Sequence, residues 1–157
     1  METQSVDIIV FSAKYTSDFA QLNFEWLEKY FRVEPYDKEV LTNPQKYILD
    51  DGGQIFIALY KGKAVGTVAL IKRGDSTFEL SKMAVTEAYQ GLHIGKKLMS
   101  TCIDYAKKQG TKVIYLDSNT ILTPAITLYR KMGFMEVPVP ENTPYERCNI
   151  RMELPLT

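Results

Sequence analysis

Two glycines and a lysine stand at the start of a helical pattern in Gln90-Gly91-Leu92-His93-Ile94-Gly95-Lys96, and that arrangement suits the holding of phosphate. A small-residue turn entering a helix leaves backbone N–H groups without intrahelical partners, and the positive end of the helix dipole adds to their pull on anions. A pyrophosphate is the natural guest. Two familiar glycine loops are excluded by spacing. A P-loop needs four residues between its first glycine and the Gly-Lys pair, whereas Gly91 and Gly95 enclose three and Lys97 follows where Ser or Thr belongs. The dinucleotide fingerprint is missing as well, since no third glycine stands in register.

A second run with chemical content follows a β-branched stretch from Lys112 to Leu116. In Thr123-Pro124-Ala125-Ile126-Thr127-Leu128-Tyr129-Arg130-Lys131-Met132-Gly133-Phe134, Thr123 suits an N-cap and Pro124 the first helical position. Gly133 suits the left-handed residue after the last turn.

Together the two runs resemble the GNAT superfamily of acyl-CoA-dependent N-acyltransferases. The loop is similar to that family's Gln/Arg-x-x-Gly-x-Gly/Ala, with His93 in place of the first glycine, and Ala125, Leu128, Tyr129, Gly133 and Phe134 match Ala-x-x-Leu-Tyr-x-x-x-Gly-Phe at identical spacing. The family's Asn three residues before that Ala is Leu122 here, and Asn119 stands as its substitute one turn earlier. The resemblance covers about Phe78 to Val137. It implies an α/β fold with a mixed, mostly antiparallel sheet of about seven strands, a splayed parallel central pair and about four flanking helices, in a single domain over residues 1–157.

The implied cofactor is acetyl-CoA (coenzyme A). By resemblance, pantetheine pairs with Met83, Ala84 and Val85 like an added strand, backbone N–H groups there face the thioester oxygen, and the phosphates lie on Gln90, Gly91, Leu92, His93, Ile94, Gly95 and Lys96, with Asn119 nearby. Glu79 occupies the position of a general base in several relatives. Strict alternation would put it on one face with Ser81, Met83 and Val85. Tyr129 matches the tyrosine that protonates the leaving thiolate. The implied reaction is N-acetylation of a primary amine on a small molecule, amino acid or peptide. A non-catalytic acyl-CoA sensor and an acetyltransferase of a protein partner are the alternatives.

The acceptor side is less patterned. Glu34 and Asp37, with Tyr30 and Phe31 nearby, form a candidate acidic and aromatic mouth for a cationic amine, and Tyr145 and Arg147 are candidates to border it. No His- or Cys-based metal site is expected: His93 is the sole histidine, and Cys102 falls on an apolar stripe far from Cys148.

These groups need a scaffold, and 157 residues with 45% hydrophobic and 24% charged content suffice for one core. Nineteen basic and nineteen acidic side chains cancel, so neither nucleic acid nor a membrane surface is an expected partner; a homodimer is compatible. With no secretory pattern and no bilayer-length apolar run, a cytoplasmic location is the expectation. Val6 to Ser12 reads as a strand, and Ser17 to Phe31 as a helix with Phe19, Leu22, Trp26, Leu27 and Tyr30 on one face. Pro35 and Asp37 read as a break before short helices at 39–41 and 44–49. Strands follow at 55–60 and 64–71, then a turn at Arg73-Gly74-Asp75-Ser76 and a strand at 77–85. The strand from Lys112 belongs parallel to the last of these, because the intervening helix has the length of a crossover. Phe134 to Val137 and Asn149 to Leu154 complete the sheet.

Overall fold

The computed structural model describes residues 5–90 and 93–156. Alternation in single strands decides the layering. In β2 (Gln54–Tyr60), Ile55 and Ile57 enter a core with Phe19, Leu27, Val40 and Leu41, while Phe56 and Ala58 enter a second core with Leu98, Met99 and Cys102. A strand with apolar residues on both faces needs a cover on each. Helices α1 (Thr16–Tyr30) and α2 (Pro35–Thr42) supply one, and α3 (Ile94–Lys108) with Tyr129 of α4 (Thr123–Lys131) supplies the other.

Seven strands form one sheet in the order β1-β2-β3-β4-β5-β7-β6, comprising β1 (Val6–Val10), β2, β3 (Lys63–Gly74), β4 (Thr77–Val85), β5 (Val113–Ser118), β6 (Met135–Val137) and β7 (Ile150–Pro155). All neighbours are antiparallel except β4 and β5, which α3 joins as a crossover. The expected sheet with its parallel central pair is therefore present.

Local readings differ in four places. Pro35 starts α2 rather than breaking the chain: it sits at the first helical position, behind a reciprocal capping box between Glu34 and Asp37. Residues 45–49 form a π-type turn. Strand β3 continues through Arg73 to Gly74, so the turn to β4 is shorter than the sequence suggested. In β4 the register with β3 slips, Ala69 facing Ser81 while Thr67 faces Ala84, and Lys82 takes the left-handed φ of 56° inside this bulge. One extra residue redirects every side chain beyond it. Glu79 pairs with Ile71 in the α1/α2 core, whereas Met83 and Val85 pack against the α3 core, so the single face expected for Glu79, Ser81, Met83 and Val85 does not exist.

Candidate active site

The bulge and the crossover together open the molecule. β4 and β5 pair only at Thr77 with Val113, Phe78 with Ile114 and Glu79 with Tyr115, and then diverge. From Met83 to Val85 the β5-facing edge of β4 lines a cleft of about 760 Å³, closed on its other sides by Gln90, His93, Ile94, Gly95 and Lys96 and by Ile121, Pro124, Ala125 and Leu128. A narrower chamber of about 80 Å³ continues inward, lined by Asn23, Trp26, Phe31, Asp37, Ser81, Lys82, Asn119, Tyr129, Tyr145, Arg147 and Cys148. Trp26, Met83 and Leu122 line both spaces and mark the junction.

The outer cleft has the features a CoA needs. An unpaired strand edge offers backbone donors and acceptors to an extended ligand. At Gly95 a Cβ would meet only Leu128, at 3.9 Å, so the glycine leaves space in the cleft rather than relieving a packing clash. His93 caps α3 in the left-handed conformation (φ 59°) with its side chain exposed, and Gln90 donates from Nε2 to the Val85 carbonyl at 3.1 Å, tying the loop to the end of β4. Lys96 is exposed on the first turn of α3 and lines the cleft. Gly91 and Leu92 lie outside the described residues. Asn119 lines the inner chamber instead, its amide spent: Nδ2 donates to the Arg147 carbonyl at 2.7 Å and Oδ1 accepts from the Ile121 N–H at 2.9 Å. It pins the β5–α4 loop to the segment before β7.

Tyr129 is buried against the inner chamber, and burial pushes its phenol up to about 12, against a smaller opposing pull from the Ser118 hydroxyl. It holds its proton throughout the neutral range. Glu79 is placed differently from its expected role. Its carboxylate accepts from Arg73 Nε at 2.9 Å, is paired with Arg73 Nη2 at 2.8 Å, and receives the Tyr115 hydroxyl at 3.4 Å. Only 3% of that side chain is exposed, and it lines neither the cleft nor the chamber. Burial works against the Arg73 charge, but the Glu79 carboxylate and the Tyr36 hydroxyl together outweigh it and raise the guanidinium's pKa.

The expected acidic mouth is a correction. Glu34 and Asp37 are buried and already neutralised: Arg147 gives Asp37 two hydrogen bonds, at 2.8 and 2.9 Å, and gives Glu34 one at 3.0 Å. Glu34 also caps α2 and accepts from the Glu146 N–H at 3.1 Å. An exposed acidic rim would have left carboxylates free for a cation, whereas these fix the β6–β7 segment to the start of α2. Burial alone would raise the Asp37 pKa, but the Arg147 hydrogen bonds and the Lys82 and Arg147 charges hold it below 3.8. Tyr145 is buried rather than at a border, and Arg147 is half-buried; both line the chamber. Phe31 lines the chamber and Tyr30 the outer cleft.

Sequence reasoning missed Asn23, Trp26 and Lys82. Trp26 looked like ordinary core on an apolar stripe, but it packs at a tilt against Tyr30 and Phe31, at ring centroid distances of 5.4 and 5.7 Å, at the junction of the two spaces. Asn23 is buried in the middle of α1, where a polar residue on the inward face is the one available signal. Lys82 is buried, with Nζ 3.1 Å from the Tyr145 hydroxyl and 3.3 Å from Asp37 Oδ1. Among the described residues no group of His, Cys, Asp and Glu could hold a metal.

Known proteins resemble this chain in sequence and in fold. The family model described as Acetyltransferase (GNAT) family matches residues 20–134. YvbK of Bacillus subtilis, named an uncharacterized N-acetyltransferase, is 32% identical over 104 residues, covering 64% of this chain and 67% of its own. N-acetyltransferase 8B of Rattus norvegicus is 30% identical over 97 residues, covering 59% of this chain and 44% of its own, so the match spans less than half of that relative's length. A GNAT-family acetyltransferase from Staphylococcus aureus Mu50 superposes with a TM-score of 0.88 at 26% identity, covering 98% of this chain and 100% of that one. yncA from Salmonella typhimurium, solved with its cofactor acetyl-CoA, has a TM-score of 0.76 at 18% identity and covers 97% of this chain and 94% of its own, a likeness of fold.

Proposed function

The chain belongs to the acetyltransferase (GNAT) family, and we propose that it is an N-acetyltransferase that moves the acetyl group of acetyl-CoA to a primary amine of a small molecule, amino acid or peptide. The single observation that carries this reading is the junction of the two spaces. The outer cleft offers an open strand edge and a glycine-lined helix start to an extended, phosphorylated carrier, and the inner chamber holds a protonated, buried tyrosine where acyl transfer must end.

Acetyl-CoA supplies a thioester whose carbonyl carbon accepts the amine nitrogen. The residues of the chain do the rest. Backbone groups of Met83, Ala84 and Val85 bind and orient along the open edge, and Gly95 permits close approach at the helix N-terminus, where partner-free N–H groups favour phosphate. Trp26 and Leu122 narrow the junction and exclude water, which strengthens every charge–dipole interaction inside. Tyr129 keeps a proton on its hydroxyl for the departing sulfur. The expectation of Glu79 as base needs an intermediary, because the carboxylate is engaged by Arg73 and lines neither space. The chamber's volume of about 80 Å³ suits a small acyl group.

Release of CoA thiol, followed with a panel of amines, polyamines, amino acids and short peptides, tests the reading. Amine-dependent release supports an enzyme. CoA binding with no release by any amine, peptide or protein lysine supports a sensor. A melting scan on the same sample separates the two from a misassigned cleft: at about 100 times its Kd a ligand adds roughly 2.7 kcal/mol, and CoA should raise Tm where ATP and NAD do not.

A further inference from the structure

Lys82 is the least ordinary residue in the molecule. It is a non-glycine residue at positive φ, a conformation that costs of the order of 1–3 kcal/mol and persists only where the surroundings impose it. Its side chain is only 3% exposed, yet it lines the inner chamber. The register slip between Ser81 and Ala84 is what turns this side chain toward α2.

We propose that Lys82 is the group that takes the proton from the acceptor's ammonium. This rests on the N-acetyltransferase reading above. Every group packed around Nζ bears on the assignment. From α2, Asp37 lies at 3.3 Å and the Tyr36 ring at 5.7 Å; from the segment before β7, the Tyr145 hydroxyl lies at 3.1 Å, its ring at 4.6 Å, and Arg147 stands beside Asp37. On β4 itself Glu79 contributes a more distant charge, already paired with Arg73 of β3, and Glu34 is paired with Arg147. α1 contributes only the neutral Asn23, Trp26 and Leu27 to the chamber. Both carboxylate oxygens of Asp37 receive shorter bonds from Arg147, which cannot give up a proton, so Lys82 holds the longest bond in the cluster and carries its one releasable ammonium proton. Burial lowers the Lys82 pKa from its ordinary value; Asp37 pulls it back without reversing the shift, and Arg147 adds to the lowering.

The protons balance as follows. The acceptor ammonium gives one proton to neutral Lys82, and the freed lone pair forms the C–N bond as the C–S bond breaks. The sulfur takes the proton of Tyr129, and the second nitrogen proton passes to the phenolate this leaves on Tyr129. Lys82 then releases its proton to solvent, so one proton leaves per turnover. Glu79 and Asp37 set the Lys82 affinity for that proton and need not touch the acceptor.

The test is a titration of the whole protein labelled with carbon-13 at lysine Cε, the Lys82 signal being assigned by its loss in Lys82→Met. The proposal expects that signal to titrate below the ordinary lysine value of about 10.4, with and without CoA. A signal that shows Lys82 fully charged at the pH where acyl transfer runs overturns it, whatever acceptor the protein uses. A CoA-induced rise in Tm retained in Lys82→Met shows the cofactor site intact, so failure of the titration alone sinks Lys82, while loss of the CoA effect in wild type sinks the acetyltransferase reading. With an acceptor that turns over, Lys82→Arg should lower kcat/KM at pH 7 by about 10²–10⁴ and the deficit should shrink as pH rises, because free amine replaces the base. A wild-type rate in that variant overturns the proposal.

Discussion

Asp37→Asn isolates the charge that organises the inner chamber. The side chain is fully buried and nearly isosteric in the variant, so shape is kept and charge is lost. In the wild type this carboxylate accepts two hydrogen bonds from Arg147, one from Lys82 and one from the Glu34 backbone N–H at 2.9 Å. An Asn presents one acceptor and, in place of the other, an NH2 facing cationic donors. Lys82, with 3% side-chain exposure, cannot recover its loss from water. Asp37 and Arg147 form a largely buried ion pair, and removing one partner of such a pair costs about 3–5 kcal/mol. At 2–4 °C per kcal/mol for a domain of this size, the expected fall in Tm is roughly 6–20 °C. Because the folded Asp37 pKa is below 3.8, its contribution is present above that pH and is lost as the pH falls through the folded value. Urea midpoints from pH 7 down to pH 2 should therefore show wild type and variant converging in acid. A variant within about 2 °C of wild type at pH 7, with the same acid limb, would show that the cluster does not hold α2 and the β6–β7 segment together.

Tyr129→Phe should keep the fold and CoA binding while kcat falls by about 10²–10⁴, read from CoA thiol release; an unchanged kcat would return Tyr129 to core packing. The same residue predicts an alkaline limb. Its folded pKa is about 12, so the stabilisation is intact below the ordinary phenol value of 10 and is lost between there and about 12, by the order of 3 kcal/mol. Urea midpoints in that range should fall less steeply in Tyr129→Phe than in wild type, and parallel curves would contradict the burial argument.

The sheet was legible because its signals are local. β4 begins and ends at Thr77 and Val85 as the polar boundaries indicate, and Pro124 and Gly133 frame α4 by the conformations they favour. What stayed hidden depends on partners distant in sequence. Arg147 and Asp37 are 110 residues apart, and without that pair Glu34 and Asp37 read as a charged loop. The pattern Glu34-Pro35-x-Asp37 was an available signal for a helix start, outweighed by the habit of reading proline as a breaker. The bulge at Lys82 has no sequence signature, since a lysine does not announce a left-handed φ. It therefore broke the alternation on which Glu79's expected direction rested. Arg73 looked like part of a turn, yet it lies in β3 and takes up the Glu79 carboxylate.

The central claim is that acetyl-CoA lies in the cleft between the open edge of β4 and the start of α3, and calorimetric titration of acetyl-CoA into wild type and Gly95→Val tests it most directly. A valine Cβ meets nothing closer than Leu128 at 3.9 Å, and valine is no worse than glycine in a helix, so the variant should melt like wild type and differ only in the cleft. The account predicts saturable binding to wild type with one site per chain, and an affinity at least about ten-fold weaker in Gly95→Val, a difference of about 1.4 kcal/mol. Equal affinities, or no binding to wild type at millimolar acetyl-CoA, would contradict it.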